Sequence, residues 1–89
     1  MGSKTFDGVR FAAYTDDHLP PHVHGFYESA EVLLDLIYGK ELKDREIRLA
    51  DRTNNIIPAN AKGSDVRRVR RAARKCSEQL FELWEDARS

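Results

Sequence analysis

Three histidines and two adjacent prolines form the segment of this chain whose residue types most suggest chemistry. Residues 16–24, DDHLPPHVH, contain all three histidines and two of the three prolines of the 89-residue sequence. Adjacent prolines fix the backbone φ angle and remove two N–H donors. The prolines should therefore hold His18, His22 and His24 at nearly fixed separations, so the segment is predicted to present imidazoles.

Metal binding is one chemistry that this spacing allows. If residues 22–27 form a strand, His22 and His24 project from one face about 6.5–7 Å apart, which suits two ligands of one ion. Asp16 or Asp17 would add a carboxylate ligand. The ion would be zinc or iron, although no cysteine cluster supports such a site.

Acid–base catalysis is a second chemistry, and an architectural role is a third interpretation. Imidazoles give and take protons near neutral pH, and arginines stabilise phosphate charge. His18, His22 and His24 are therefore candidate catalytic residues for metal-independent RNA cleavage. In the architectural interpretation the imidazoles only bond backbone carbonyls. No cofactor is expected, with zinc or iron as the alternative.

The elements that must position the histidines are β-strands in about the first 63 residues. Asp7-Gly8 predicts a tight turn before a strand that runs to about Tyr14. Residues 22–27 predict a second strand. Residues 30–38 fit both a helix and a strand, and the strand is favoured because alternate positions from 32 to 38 are apolar. A further strand is predicted at residues 46–49.

Residues 64–89 predict one long C-terminal helix. Ser64 is a good N-cap residue, and no glycine or proline follows it. Apolar residues then recur at alternating steps of three and four, which is the spacing of one helix face. These residues are Val66, Val69, Ala73, Cys76, Leu80, Leu83 and Ala87.

The charges on this predicted helix oppose its dipole. Six basic residues lie between Ser64 and Cys76, against the single acid Asp65. The dipole favours acids at that end by about 0.3–1 kcal/mol per charge. Compensation could come from the acidic remainder of the chain, or from phosphates or an acidic partner surface. The candidate binding residues are Arg67, Arg68, Arg70, Arg71, Arg74 and Lys75, together with Tyr27.

Composition sets broad limits on the protein class. A chain of 89 residues predicts a single domain over residues 1–89, and 15 basic against 15 acidic residues leave a formal net charge of zero. No global field would then steer the chain towards nucleic acid. The lone Cys76 predicts a reducing compartment, most simply the cytoplasm. The longest apolar run contains Asp35, so no signal peptide or membrane span is predicted.

The order of these motifs resembles DUF4160, a small bacterial family of unknown function. The resemblance covers residues 9–84, and its most specific part is the H-x-P-P-H-x-H turn at residues 18–24; Ala30-Glu31-Val32 and a helix ending in Leu80 and Leu83-Trp84 follow. Residues 43–60 look longer than the usual connection in this family, and Gly25 stands where many members have another strand residue. The resemblance implies a toxin–antitoxin-like two-gene module, and no biochemical activity.

These observations predict an α+β domain with a small antiparallel sheet of three to four strands packed against one long C-terminal helix. The preferred function is a component of a toxin–antitoxin-like module that contacts RNA or a partner protein from an adjacent gene through the His/Pro turn. The alternatives are a metal-independent RNA-cleaving toxin and a phage-borne or regulatory protein-binding inhibitor. Whether the chain is an enzyme stays open, and an unpaired strand edge would favour a homodimer.

Overall fold

The computed structural model describes residues 2–88 and has an α+β fold in which two helices cover one face of an antiparallel sheet. The strands are β1 (Gly2–Phe6), β2 (Val9–Ala13), β3 (His22–Tyr27), β4 (Ala30–Ile37), β5 (Glu46–Leu49) and β6 (Ile56–Ile57). The helices are α1 (Gly63–Lys75) and α2 (Ser77–Arg88). Neither of these helices has the length and apolar character needed to cross a membrane.

The sheet is a meander whose strands follow chain order from β1 to β5, while β6 pairs with β4. Asp7 and Gly8 form the two-residue turn between β1 and β2, and their φ angles are 53° and 79°. Turns with positive φ match the twist of the strands they join. Glu28, with φ 53°, begins the equivalent turn between β3 and β4. The register of this second hairpin places His24 opposite Leu33.

The face of the sheet that the helices cover holds the core. In β4, the buried residues Ala30, Val32, Leu34 and Leu36 alternate with half-buried ones. Helix α1 packs against β3 and β4, and α2 packs against β1 and β2. A Cβ atom on Gly25 would lie 2.5 Å from Val69 Cγ1, so glycine is what lets α1 approach β3 this closely. Because neighbouring strand residues point to opposite faces, His24 lies on the face that the helices leave open.

The predicted number of strands is wrong. Residues 2–88 contain six strands rather than three to four. β1 has three exposed central residues, so no apolar alternation marks it, and its pairing with β2 is what defines it. β6 has only two residues, which are fixed by pairing with Glu31 and Val32. The strand prediction for residues 30–38 is confirmed by β4.

The prediction of one long C-terminal helix is also wrong. Cys76 has φ −119° and ψ 32°, which ends α1 before α2 begins. The apolar stripe continues through this break because both helices bury the same face, so the periodicity does not reveal it. The break allows each helix to follow different strands of the twisted sheet. Helix α1 begins at Gly63 rather than Ser64, and no side chain caps it.

Candidate functional site

Asp17 is positioned by the loop that connects β2 to β3. The Tyr14 N–H donates to Asp17 Oδ2 at 3.0 Å, and the Asp17 N–H donates to the Tyr14 carbonyl at 3.1 Å. Arg88, on α2, donates to the carbonyls of Thr15 and Asp17 and stacks over the Trp84 ring. The end of α2 therefore holds the loop backbone, and the Tyr14 N–H orients the Asp17 carboxylate.

His22 begins β3, and a contact with a backbone carbonyl selects the tautomer of its neutral ring. Its Nδ1 lies 2.8 Å from the Pro20 carbonyl oxygen. A carbonyl only accepts hydrogen bonds, so Nδ1 carries the proton and donates. The ring is buried, with its centroid 5.5 Å from the Trp84 ring centroid. In the neutral ring, Nε2 is then a bare acceptor.

His24 is held in the same way, by a carboxylate from the neighbouring strand. Its Nδ1 lies 3.0 Å from Glu31 Oε2, and the ring is flanked by Tyr14 edge-on and by Phe26 in a stacked arrangement. Nδ1 donates to the carboxylate, so the neutral ring again leaves Nε2 as an acceptor. His24 Nε2 is buried and makes no hydrogen bond with residues 2–88.

The two Nε2 atoms converge on the Asp17 carboxylate, and we call Asp17, His22 and His24 the histidine cluster. Asp17 Oδ2 lies 3.4 Å from His22 Nε2 and 3.5 Å from His24 Nε2, and one ligand atom from each residue lies within 4.8 Å of the others. All three groups are acceptors when the imidazoles are neutral. Acceptors that face one another in a partly buried site repel, and a shared cation, either a proton or a metal ion, would stabilise the arrangement.

Two of the three separations within the histidine cluster match those around a zinc ion. Two ligand atoms on tetrahedral zinc, with bonds of about 2.0–2.1 Å, are separated by about 3.3 Å. The two Asp17 distances of 3.4 and 3.5 Å are close to that value, whereas the widest separation in the cluster reaches 4.8 Å, so the imidazoles would move closer together on binding an ion. The Nδ1 contacts to Pro20 and Glu31 are the outer hydrogen bonds that orient metal-bound imidazoles in proteins. Three protein ligands would leave further coordination positions for water or substrate.

The histidine cluster opens into a groove of about 450 Å³, which we call the histidine groove. Its lining includes His18, Leu33 and Arg52. Arg52 contacts both carboxylate oxygens of Asp35 through Nη1, at 2.9 and 3.1 Å, so its remaining donors are available to a ligand. The groove therefore combines the cluster with one arginine, whose charge is paired with Asp35, and with the Asp16 carboxylate. His18 is exposed, outside the convergence of His22 and His24.

The basic residues of α1 occupy surfaces other than the histidine groove. Arg68 and Lys75 contact Asp7, and Arg68 also lies over the Tyr27 ring. Tyr27, a candidate binding residue, therefore packs against Arg68, and it lies at the opposite end of β3 from His22. Arg67 and Arg71 are exposed. The cation beside the histidines is Arg52, rather than the basic end of α1.

Arg70 and Arg74 line a separate groove of about 450 Å³ with Arg45 and Arg48; we call these four residues and their groove the arginine groove. Its other lining residues are Glu46, Ile47 and Ser77. The hydrogen bond from Arg48 lowers the pKa of Glu46. The arginine and histidine grooves share no lining residue.

The comparisons with known proteins return no relative. No protein-family model matches the chain, and neither a curated protein nor a solved structure matches it. The resemblance to DUF4160 therefore stays a prediction, and the function has to be argued from the site.

Proposed function

We propose that Asp17, His22 and His24 bind one divalent metal ion, zinc before iron, and that the protein is a metal-dependent hydrolase acting on an anionic substrate. The observation that carries the proposal is the convergence of three acceptors, with His24 Nε2 buried and without a hydrogen bond. This proposal departs from the expectation that no cofactor is needed. It keeps His22 and His24 as functional residues and gives His18 no ligand role.

The chain's own residues would have distinct tasks in such a site. Glu31 and the Pro20 carbonyl fix which imidazole nitrogens face the ion. Arg52 would hold a phosphate or carboxylate group of the substrate, because its guanidinium has unused donors at the groove. A bound ion of this kind makes a water molecule acidic and polarises a substrate oxygen.

A shared proton in place of a metal ion is the second candidate, and the same convergence favours it. One imidazolium beside Asp17 and one neutral imidazole would form an acid–base pair, as metal-independent RNA cleavage requires. The two candidates involve the same atoms but differ in stoichiometry, because only the first predicts about one equivalent of bound metal.

The cellular setting that we propose is a toxin–antitoxin-like module in the cytoplasm, acting on RNA or on a partner protein from an adjacent gene. Its support is the resemblance of residues 9–84 to DUF4160 together with the single buried cysteine, Cys76. The outer edge of β1, which is unpaired within residues 2–88, supports a homodimer as part of this proposal.

Metal titration of the wild-type protein and four variants tests the proposed site. We expect calorimetry to give about one Zn²⁺ per chain, and Co²⁺ to give the visible spectrum of a tetrahedral ion. Asp17→Asn, His22→Ala and His24→Ala should each weaken binding by about 100-fold or more. His18→Ala is the matched control, because it removes an exposed imidazole four residues from His22, and it should change affinity by less than about threefold.

Two results would overturn the metal proposal. The first is a wild-type protein that binds no Zn²⁺ or Co²⁺. The second is unchanged binding in His24→Ala while circular dichroism shows an intact fold. RNA cleavage that persists in excess chelator and disappears in His22→Ala would instead support the acid–base candidate.

A further inference from the structure

The arginine groove concentrates positive charge on a chain whose formal net charge is zero. Four arginines and one glutamate line it, and Glu85, which lies 3.9 Å from Arg45, lowers the local balance from +3 to +2. Two of the arginines come from β5 and the residue just before it, and two come from successive turns of α1. The backbone of three of these arginines is fixed by a strand or a helix, and Arg45 lies directly before β5, so the four side chains share one concave surface.

Arg70 and Arg74 are the unusual members of this groove. They are four residues apart on α1, where like charges repel and cost about 0.2–0.5 kcal/mol. Neither forms an ion pair with any carboxylate in residues 2–88, whereas Arg68 and Lys75 on the same helix pair with Asp7. Within residues 2–88, Asp7 therefore compensates Arg68 and Lys75, and Arg70 and Arg74 on the face towards β5 are left without an ion pair.

Arg45 adds a flat surface beside this charge. Its guanidinium lies 4.9 Å from the ring centroids of both Tyr38 and Phe81, and Tyr38 is 40 % exposed. Burial, followed by the hydrogen bond to Glu85, raises the pKa of Tyr38 to about 12, so the ring stays neutral. A positive groove next to an exposed aromatic or guanidinium plane is the combination that single-stranded nucleic acids bind, with phosphates on the arginines and a base stacked on the plane.

We infer that the arginine groove binds the phosphates of a single-stranded nucleic acid, with a base stacked beside Arg45 and Tyr38. An acidic protein surface would also meet the charge, but the stacking plane favours a nucleic acid. RNA and DNA share this chemistry. The site goes beyond the proposed metal centre and does not depend on it, because the two grooves have no residue in common.

Binding of a fluorescent 12-nucleotide uridine RNA, followed by anisotropy in excess EDTA, tests the groove apart from the metal site. We expect Arg70→Ala/Arg74→Ala to weaken binding about tenfold or more, since two phosphate contacts are lost. The matched control is Arg67→Ala/Arg71→Ala, which removes the same charge at the same spacing from an exposed part of the same helix. It should weaken binding by less than about threefold.

The outcomes separate the proposal from simple charge attraction. Equal losses of affinity in the two double variants would mean that RNA binds to general surface charge, and would overturn the proposal. An absence of wild-type binding would also overturn it. Equal affinity for poly-glutamate would point to an acidic protein and also overturn it. Tyr38→Ala should weaken RNA binding and leave poly-glutamate binding unchanged. A DNA oligonucleotide of matched sequence shows which nucleic acid the site prefers.

Discussion

The histidine cluster brings together hydrogen-bond acceptors and the arginine groove brings together cations, but the side chains of the two regions are buried to very different degrees. The side chains of His22, His24 and Asp17 are only 9, 18 and 14 % exposed. The side chains of Arg45 and Arg48 are 30 and 62 % exposed. Groups that are buried and hydrogen-bonded on their far side cannot turn towards water, whereas exposed arginines can.

This difference predicts different ligands for the two regions. A buried set of acceptors with fixed directions suits a small cation at short distance, and its binding should depend on individual hydrogen bonds. An exposed set of cations suits an extended anion, and its binding should depend on total charge and on salt. The following predictions use that contrast, from the largest expected effect to the smallest.

Removing the outer hydrogen bond to His24 should affect only the histidine cluster. Glu31→Ala takes away the carboxylate that holds His24 Nδ1 at 3.0 Å, so Zn²⁺ affinity is expected to fall by about 10- to 100-fold. Glu46→Ala removes the same charge from the arginine groove and serves as the control. It should leave Zn²⁺ affinity unchanged and strengthen RNA binding. A loss of Zn²⁺ affinity shared by both variants would contradict the separation of the two regions.

Salt should weaken RNA binding at the arginine groove far more than Zn²⁺ binding at the cluster. Four phosphate contacts predict a slope of about −2.8 in log affinity against log salt for a single strand, or about 50-fold between 50 and 200 mM. Zn²⁺ affinity should change by less than about threefold over this range, because the ligands are largely buried. Parallel titrations in sodium chloride measure both. A salt slope near zero for RNA would leave the four arginines without a role in binding.

Local sequence patterns predicted the strands that carry His22 and His24, but not the groups that complete the cluster. Alternation placed both histidines on one face of β3, and Asp17 was one of two carboxylates considered. Glu31 could have been found from hairpin register, since a two-residue turn after Tyr27 places it diagonal to His24. Arg52 and Arg88 lie 28 and 64 residues beyond His24 in the chain. No local pattern shows that Arg52 lines the histidine groove or that Arg88 holds the loop of Asp17.

The two C-terminal helices show the opposite limit of sequence prediction. Here a strong local pattern predicted one helix and gave no sign of the break at Cys76. The apolar stripe passes through Cys76 without a change of step, and no glycine or proline marks the end of α1. The break arises from tertiary packing, since α1 follows β3 and β4 while α2 follows β1 and β2. The basic residues of this helix were named as binding candidates from their charges alone, and the contacts of residues 2–88 do not join them to the histidines.

Gly25 lies where β3, which carries His22 and His24, meets α1, which carries Arg70 and Arg74. Its replacement should destabilise the fold. A Cβ in Gly25→Ala would lie 2.5 Å from Val69 Cγ1 and 3.1 Å from Phe11 Cε1, so α1 must shift away from β3. Overpacking of this kind costs about 1–3 kcal/mol, measurable as the free energy of unfolding in urea. Val69→Ala removes the closest contact atom. The double variant should therefore be more stable than the sum of the two single changes, and strict additivity would refute the clash.

The smallest expected effect concerns Cys76, which is buried at the break between the helices. Burial raises the pKa of its thiol to about 11 from the ordinary value of 9.0, and the Sγ–H donates to the Ala72 carbonyl at 3.1 Å. The folded state thus favours the neutral thiol. This contribution is complete below pH 9 and is lost as the pH rises towards 11, because the unfolded thiol ionises first.

We expect wild-type stability to fall by on the order of 1 kcal/mol more than that of Cys76→Ala between pH 8.5 and 10.5, by urea unfolding at each pH. Both proteins contain Tyr38, so its titration cancels in this comparison. Alkylation by iodoacetamide at pH 8.5 should also be much slower in the native protein than in urea, since the thiolate is the reactive form. Rapid native alkylation together with identical pH profiles would mean that the break between α1 and α2 opens readily. Arg74 and Ser77, which line the arginine groove on either side of Cys76, would then belong to a mobile surface. The arginine groove would in that case differ from the histidine cluster in mobility as well as in burial.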